Sequence, residues 1–470
     1  MSVPSVFSPQ LTPLSEAIRN GREFDLHCHW MTLRTPKDGA RTYQGPGMIR
    51  FDRERQLQFT MYADSFDSNH TAERMEVGQL IPDDSIYRLS AIDDLECDWI
   101  SDKVAEYMVL PNDRKTRALV TGRLTDVHST HPMFRNNPSL RLAGTRLSLS
   151  VFEDINIPFN AKTLTTTTLE NGERVTGGAR MNVAKIETDG YKFVFTHGGN
   201  VLKIEVETDQ LTPGLDKRVI EALQFVLARP IWWTMLSEER GDTVFSNIRS
   251  APPPPHSGGK SYLPPIDSIY FHDKTGCVWR LFASYFKFVL GHEANNWHPL
   301  SRYVYSTIES RESGFDPYRL ALGVAVEGVL NTCFQNAATP NEEYLHAVDT
   351  VEAHLREWKC PEGYTDETKI RNRMSGWCNF LRKPSTSDRL WALKELGVVT
   401  ESEFDSWTSL RNETVHARRP GALPTQAEID QVDAVTNVMH KLVFQAIGYI
   451  GKYTDYGSRG FPTRDFFPSG

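Results

Sequence analysis

With 470 residues the chain is long enough for two or three domains with separate cores, and 39% hydrophobic against 24% charged residues excludes a disordered or fibrous protein. A formal net charge of −8 argues against indiscriminate coating of nucleic acid, while leaving room for a small basic cleft. The six cysteines, at 28, 97, 277, 333, 360 and 378, include no CxxC pair, which disfavours a zinc ribbon and a disulfide framework and predicts reduced, structural thiols.

The opening MSVPSVFSPQLTP lacks a basic start followed by an apolar run, so no secretory signal is expected. The most apolar stretch, Val278 to Leu290, is short and interrupted by Arg280 and Lys287, so no membrane span is expected and the protein reads as cytoplasmic. Residues 1–212 read as a β-rich N-terminal domain, an antiparallel sandwich or barrel. Runs such as RALVTGRL (117–124), TRLSLSVFEDI (145–155), YKFVFTHGGN (191–200) and VLKIEVET (201–208) alternate or are β-branched, and Asn171-Gly172 and Asp189-Gly190 supply turns. The segment Asn69 to Asp113 is the least strand-like part of this region, acidic and irregular, with room for a short helix. Leu215 to Ala228 reads as a helix ended by Pro230, and SAPPPPHSGGKSYLPPIDS (250–268) reads as a linker, so 213–275 is taken as helix plus linker.

From 276 to 458 the period changes to helical, predicting an all-α bundle with helices over 277–292, 300–312, 317–336, 340–358, 365–382, 386–396, 402–417 and 425–450, and a tail over 459–470. The helix PYRLALGVAVEGVLNTCF is apolar nearly all round, which predicts a buried central helix. The overall expectation is a multidomain α+β chain: a β-rich region followed by a helical bundle.

One late helix carries the candidate chemistry, in LRNETVHARR (410–419). The pattern Arg-x4-His occurs three times, at Arg22/His27, Arg123/His128 and Arg411/His416, so spacing alone proves nothing. The first two lie in strand-like sequence, where five residues of separation puts the side chains on opposite faces. For the third, Thr400 and Glu403 form a capping-box pattern and Pro420-Gly421 ends the helix. Phe404, Trp407, Leu410, Thr414 and Val415 then fall in one apolar arc with Arg411 inside it. A guanidinium there needs an anionic partner or a cleft. Asn412 and His416 share the neighbouring face. A neutral histidine can take the proton of an RNA 2′-hydroxyl, and an arginine can hold the charge that develops on the phosphorane oxygens. The plain alternative is a helix-end Arg in a salt bridge and a surface His at the helix terminus.

The R-N-x3-H core on a late helix resembles the HEPN superfamily. The run AIGYIGKYTDYGSRG (446–460) looks like the tail of ApeA-like HEPN proteins, and LALGVAVEGVLN (320–331) is similar to that family's central helix. The resemblance covers roughly the last 200 residues. It implies a metal-independent endoribonuclease of an anti-phage abortive-infection system, with Arg411, Asn412 and His416 in the catalytic positions and no cofactor or metal. It further implies RNA as substrate (tRNA the first guess), a homodimer through the HEPN domain, and products with 2′,3′-cyclic phosphate or 3′-phosphate and 5′-hydroxyl ends. Glu327, a carboxylate in an apolar helix, is a supporting residue for which Arg411 is the candidate partner. Arg418 and Arg419 read equally as RNA-phosphate contacts or as cations at a helix C-terminus. Tyr449, Tyr453 and Asp455 are expected to pack.

Two other classes compete. EFDLHCHW (23–30) resembles the first metal motif of amidohydrolase barrels, which would make His27 and His29 metal ligands of a hydrolase; histidines on the wet side of a strand are the simpler account. A non-catalytic HEPN binding or regulatory protein is the other. If the β-rich region senses a phage-derived trigger, a fragment from about 270 to 470 is expected to lose regulation while keeping His416-dependent cleavage.

Overall fold

The structure is a computed structural model that describes residues 11–20, 22–37, 41–64, 82–111, 117–132, 144–155, 157–168, 174–198, 200–210, 212–241, 243–251, 263–267, 276–293, 296–338, 340, 342–359, 366–413 and 423–469. A short helix α1 (Leu11–Arg19) precedes strands β1 (Phe24–Arg34), β2 (Thr42–Phe51), β3 (Leu57–Ala63), β4 (Arg88–Asp93), β5 (Asp98–Ser101), β6 (Val104–Pro111) and β7 (Ala118–Leu124). Then come β8 (Asp126–Pro132), β9 (Thr145–Val151), β10 (Ala161–Thr168), β11 (Arg174–Thr188), β12 (Tyr191–Gly198) and β13 (Val201–Thr208). Helix α2 (Leu215–Leu227) is followed by β14 (Met235–Arg240) and β15 (Thr243–Arg249). Eight helices follow: α3 (Cys277–Leu290), α4 (Pro299–Ser313), α5 (Phe315–Cys333), α6 (Glu342–Glu357), α7 (Glu367–Leu381), α8 (Thr386–Glu395), α9 (Glu401–Glu413) and α10 (Gln426–Ile447). A hairpin of β16 (Gly451–Thr454) and β17 (Thr463–Phe466) comes last.

The expected α+β layout is present: an antiparallel β region and an all-helical region. Among the described residues hydrogen bonding joins β1 to β15 into one ladder, ordered β10-β11-β12-β13-β9-β14-β15-β8-β5-β4-β1-β2-β3-β7-β6, while β16 and β17 pair separately. Period-2 alternation sets its core. In β3, Leu57, Phe59, Met61 and Ala63 are buried while Gln58, Thr60 and Tyr62 are not, and each large apolar side chain so removed from water contributes about 1.5–3 kcal/mol. The β11–β12 hairpin turns at Asp189-Gly190, both with positive φ, as that dipeptide predicts.

The described part of residues 69–113 is mostly strand like the rest of the β-rich region, as β4, β5 and β6, with one 3₁₀ turn at Asp83–Ser85. Its acidic irregularity is a turn built by one side chain. Buried Asp93 accepts from the Leu95 and Cys97 amides at 2.9 Å each and from the Trp99 indole at 3.0 Å. The stretch taken as helix plus linker also divides differently. The β14–β15 hairpin lies inside the ladder, between β9 and β8, and α2 from Lys217 onward belongs to the compact helical unit. Residues 252–262 of the proline-rich run lie outside the described residues.

In the helical unit α2 is buried from Arg218 to Val226. Its Phe225 ring stacks on Tyr285 of α3 at 4.9 Å and meets His440 and Phe444 of α10 edge-on. Arg218 donates to the carbonyls of Val289 and Asn296, and Glu221 accepts from the His298 amide at 3.0 Å, so an ion pair inside α2 also caps the end of α3 and the loop after it. Close approach to α5 is made at glycine. A Cβ on Gly328 would sit 2.2 Å from the Tyr303 ring of α4, and one on Gly323 would sit 3.2 Å from Leu410 of α9. The central helix is nonetheless not buried all round, for Leu320 and Val324 are exposed. Helices α6 and α7 pack on each other and bury little, Val348 on one and Cys378 on the other. Among the described residues no helix is long and apolar enough to cross a membrane.

Candidate functional site

Helix α9 starts where the capping box predicts. The Glu403 carboxylate accepts from the Thr400 amide at 2.8 Å, and the Thr400 hydroxyl accepts from the Glu403 amide at 3.3 Å. Glu403 then does more than cap. It is buried, and it accepts from Lys441 of α10 at 2.8 and 2.9 Å and from Asn437. Asn437 donates onward to Asp455, which also accepts from Ser458 and pairs with Arg464. This network fixes the register of α9 against α10 and the tail hairpin. One and two turns later, Trp407 and Leu410 are fully buried, and Leu410 lies against Gly323.

Arg411 follows directly. Its Nε pairs with the Glu327 carboxylate of α5, and its guanidinium carbon lies 5.7 Å from the centroid of the Trp407 ring. The guanidinium is therefore gripped by a carboxylate and an indole, yet the side chain stays 46% exposed. Asn412 is exposed beside it. Of the residues singled out in the sequence, the structure brings Arg411 and Glu327 together and sets Asn412 next to them. His416, Arg418 and Arg419 lie outside the described residues. Tyr449, Tyr453 and Asp455 are buried, with the Tyr449 hydroxyl donating to the Lys452 carbonyl at 2.8 Å.

Sequence reasoning missed two features. Arg319, buried one turn before Gly323, pairs with Glu413 at 2.9 Å and approaches Glu428 at 3.8 Å. It closes the end of α9 just as Glu327 holds Arg411, and a charged residue in an apolar helix was its readable signal. The second is a groove of about 870 Å3 on the roughly opposite side of α9, between α9, α10 and the tail hairpin. Glu403, Asp405, Glu413, Glu428, Asp430 and Asp455 line it against Lys441 and Arg464, a balance that repels phosphates.

His27 and His29 are both exposed on β1, flanking buried Cys28, with a β-bulge immediately after. His29 Nδ1 is 3.2 Å from the Asp93 carbonyl. Among the described residues no group of three or more His, Cys, Asp or Glu side chains is placed to hold a metal ion. Burial pushes the Cys28 thiol up to about 12 and the Cys333 thiol up to about 11, which suits structural rather than reactive thiols.

Comparison with known proteins finds no matching family model, no matching curated protein and no matching solved structure.

Proposed function

We propose that the chain is a metal-independent endoribonuclease of HEPN type, acting in the cytoplasm as an anti-phage abortive-infection effector. Host RNA is its substrate, with tRNA the first candidate. The observation that carries the reading is Arg411: a half-exposed guanidinium at the end of a late bundle helix, oriented by Glu327 through Nε and flanked by Trp407 and Asn412. Arginine is the side chain best matched to phosphate oxygens, and Glu327 sets the orientation of this one.

His416 removes the proton of the 2′-hydroxyl, whose oxygen attacks the adjacent phosphorus. Arg411 stabilises the charge that develops on the phosphorane, and the 5′-oxygen leaves and takes a proton from water, while His416 gives up to solvent the one it accepted. A 2′,3′-cyclic phosphate and a 5′-hydroxyl result. Asn412 orients one of these partners. The exposed Leu320 and Val324, on the same face of α5 as Glu327, support self-association beside the site. The β unit would sense the phage-derived trigger.

The test is an RNA cleavage assay in excess EDTA, comparing wild type with His416→Ala and Arg411→Ala on host RNA from infected and uninfected cells. Discrete cleavage by wild type, lost in both variants, is the expected result. Cleavage that requires metal and survives both substitutions would refute it.

A further inference from the structure

Helix α7 carries a surface that the ribonuclease reading does not use. Lys369, Arg373, Trp377 and Phe380 are spaced by four, four and three residues. At about 100° per residue they share one arc of about 80°, over roughly 16 Å of helix. All four are exposed, the two aromatics conspicuously so: Trp377 is 58% and Phe380 64% accessible. The opposite arc holds Cys378, the buried residue through which α7 meets α6.

Charge on this helix is segregated. Arg382 pairs with Asp349 and Glu352 of α6, on the side away from the stripe. Arg371 donates to the Trp358 carbonyl at 2.9 Å, so it too is committed inward. Arg373 has no ion-pair or hydrogen-bond partner among the described residues, and Lys369 has only an exposed contact with Asp366 at 3.7 Å, worth little in water. Two uncommitted cations thus lie in line with two exposed rings, on a chain whose net charge is −8. A protein interface would place a continuous apolar core here and deplete lysine. Cations that track a backbone beside rings that accept bases are the elements of single-strand recognition.

We propose that this face of α7 binds single-stranded RNA, with Lys369 and Arg373 on phosphates and Trp377 and Phe380 stacked on bases. It deepens the ribonuclease reading by naming the form of substrate: an unpaired segment, held away from the reacting phosphate by an element other than α9. Stacking is indifferent to base identity, so the surface selects for strandedness and not sequence.

The experiment uses the full chain carrying His416→Ala, so that the probe is not cut. A fluorescein-labelled single-stranded oligoribonucleotide of mixed sequence is titrated in, alongside the same RNA annealed to its complement. The single strand should bind more tightly. Trp377→Ala and Phe380→Ala should each weaken it by about five- to a hundredfold, and Trp377→Tyr should restore most of the loss. Lys369→Ala and Arg373→Ala should each lower the salt slope by about 0.7. No binding by the parent chain, equal binding by the α7 variants, or a preference for anionic phospholipid vesicles over RNA would overturn the proposal. So would a shift to monomer in these variants with RNA affinity unchanged, which would assign the face to a second copy. The two readings fail separately. His416-dependent cleavage with unaltered binding in the α7 variants refutes the surface alone. Binding that depends on α7, without cleavage by the wild type, refutes the nuclease alone.

Discussion

Replacing Glu403 tests whether the buried network sets the position of α9. Both ends of the Glu403–Lys441 pair are under 10% exposed, so solvent screening does little to weaken it. Glu403→Ala leaves the Lys441 ammonium buried without its carboxylate, a loss of about 3–5 kcal/mol. It also deletes the acceptor for the Thr400 amide, which adds about 1 kcal/mol. Arg411 lies eight residues further on, roughly 12 Å along the helix, so slack at the start of α9 displaces the Arg411–Glu327 grip as well. Because the chain has two compact units, hydrogen exchange of α9 and α10 amides is the suitable assay, not a global melt. Protection should fall by several kcal/mol in Glu403→Ala, and much of it should return in Glu403→Leu/Lys441→Met, where no charge is stranded. A loss below about 1 kcal/mol, or a double variant as weak as the sum of the singles, would refute the reasoning.

Acid response should separate two buried groups. Burial lowers His440 to about 3, with Arg311 adding to it, so the unfolded chain gains a proton near pH 6.5 that the folded chain refuses, and stability is lost as pH falls from there. Burial raises Glu221 to about 7 against the attraction of Arg218, so the folded chain gains a proton first and stability rises as pH falls from 7 towards 4.5. The two slopes, each about 1.4 kcal/mol per pH unit, oppose one another; Glu221→Gln should steepen acid destabilisation of the helical unit and His440→Phe should relieve it, whereas a change in hydrogen-exchange stability of α2 and α10 between pH 7 and 5.5 that is the same in both variants as in the wild type would sink this account. A fragment beginning at Gly276 lacks α2, leaving Tyr285, His440 and Phe444 without Phe225. Against the sequence-based expectation it should be poorly folded and inactive by circular dichroism and cleavage assay, and a monomeric, fully helical fragment would contradict this. Gly328→Ala drives a methyl into the Tyr303 ring and should cost about 1–3 kcal/mol, where an uncrowded helix glycine would instead gain about 1 kcal/mol, a difference of sign that hydrogen exchange of α4 and α5 amides reads directly.

The helices of the bundle were legible because their apolar residues recur at the helical period; α3 to α10 begin within a few residues of the expected limits and, apart from α9, whose expected end at 417 lies outside the described residues, end within a few residues of them. The β14–β15 hairpin was not, because it buries Ser237, Glu239, Ser246 and Asn247. Those polar residues erase the alternation that marks a strand, and Glu239 pairs with Arg146 on the neighbouring β9 at 3.6 Å. The β4–β5 turn was hidden for a related reason, since Asp93 acts through its side chain on amides that no periodicity reveals. At the candidate site the partnership of Glu327 and Arg411 was readable from their being charges in apolar arcs, and the structure pairs them. Arg319 carried the same signal and went unread. The Glu403 network was only half visible, because a capping box declares its local bonds but not Lys441 or Asn437.

The placing of α2 also has a consequence for the order of synthesis. Its sequence leaves the ribosome after β13, but the rings that cover Phe225 belong to α3 and α10, and Phe444 follows Phe225 by roughly two hundred residues. At typical elongation rates that gap lasts on the order of ten to forty seconds. Throughout it α2 is a hydrophobic helix, flanked by strands that can already pair, with no surface of its own to occupy. The nascent chain must therefore hold an unsatisfied helix until α10 has emerged, and the helical unit is completed only then.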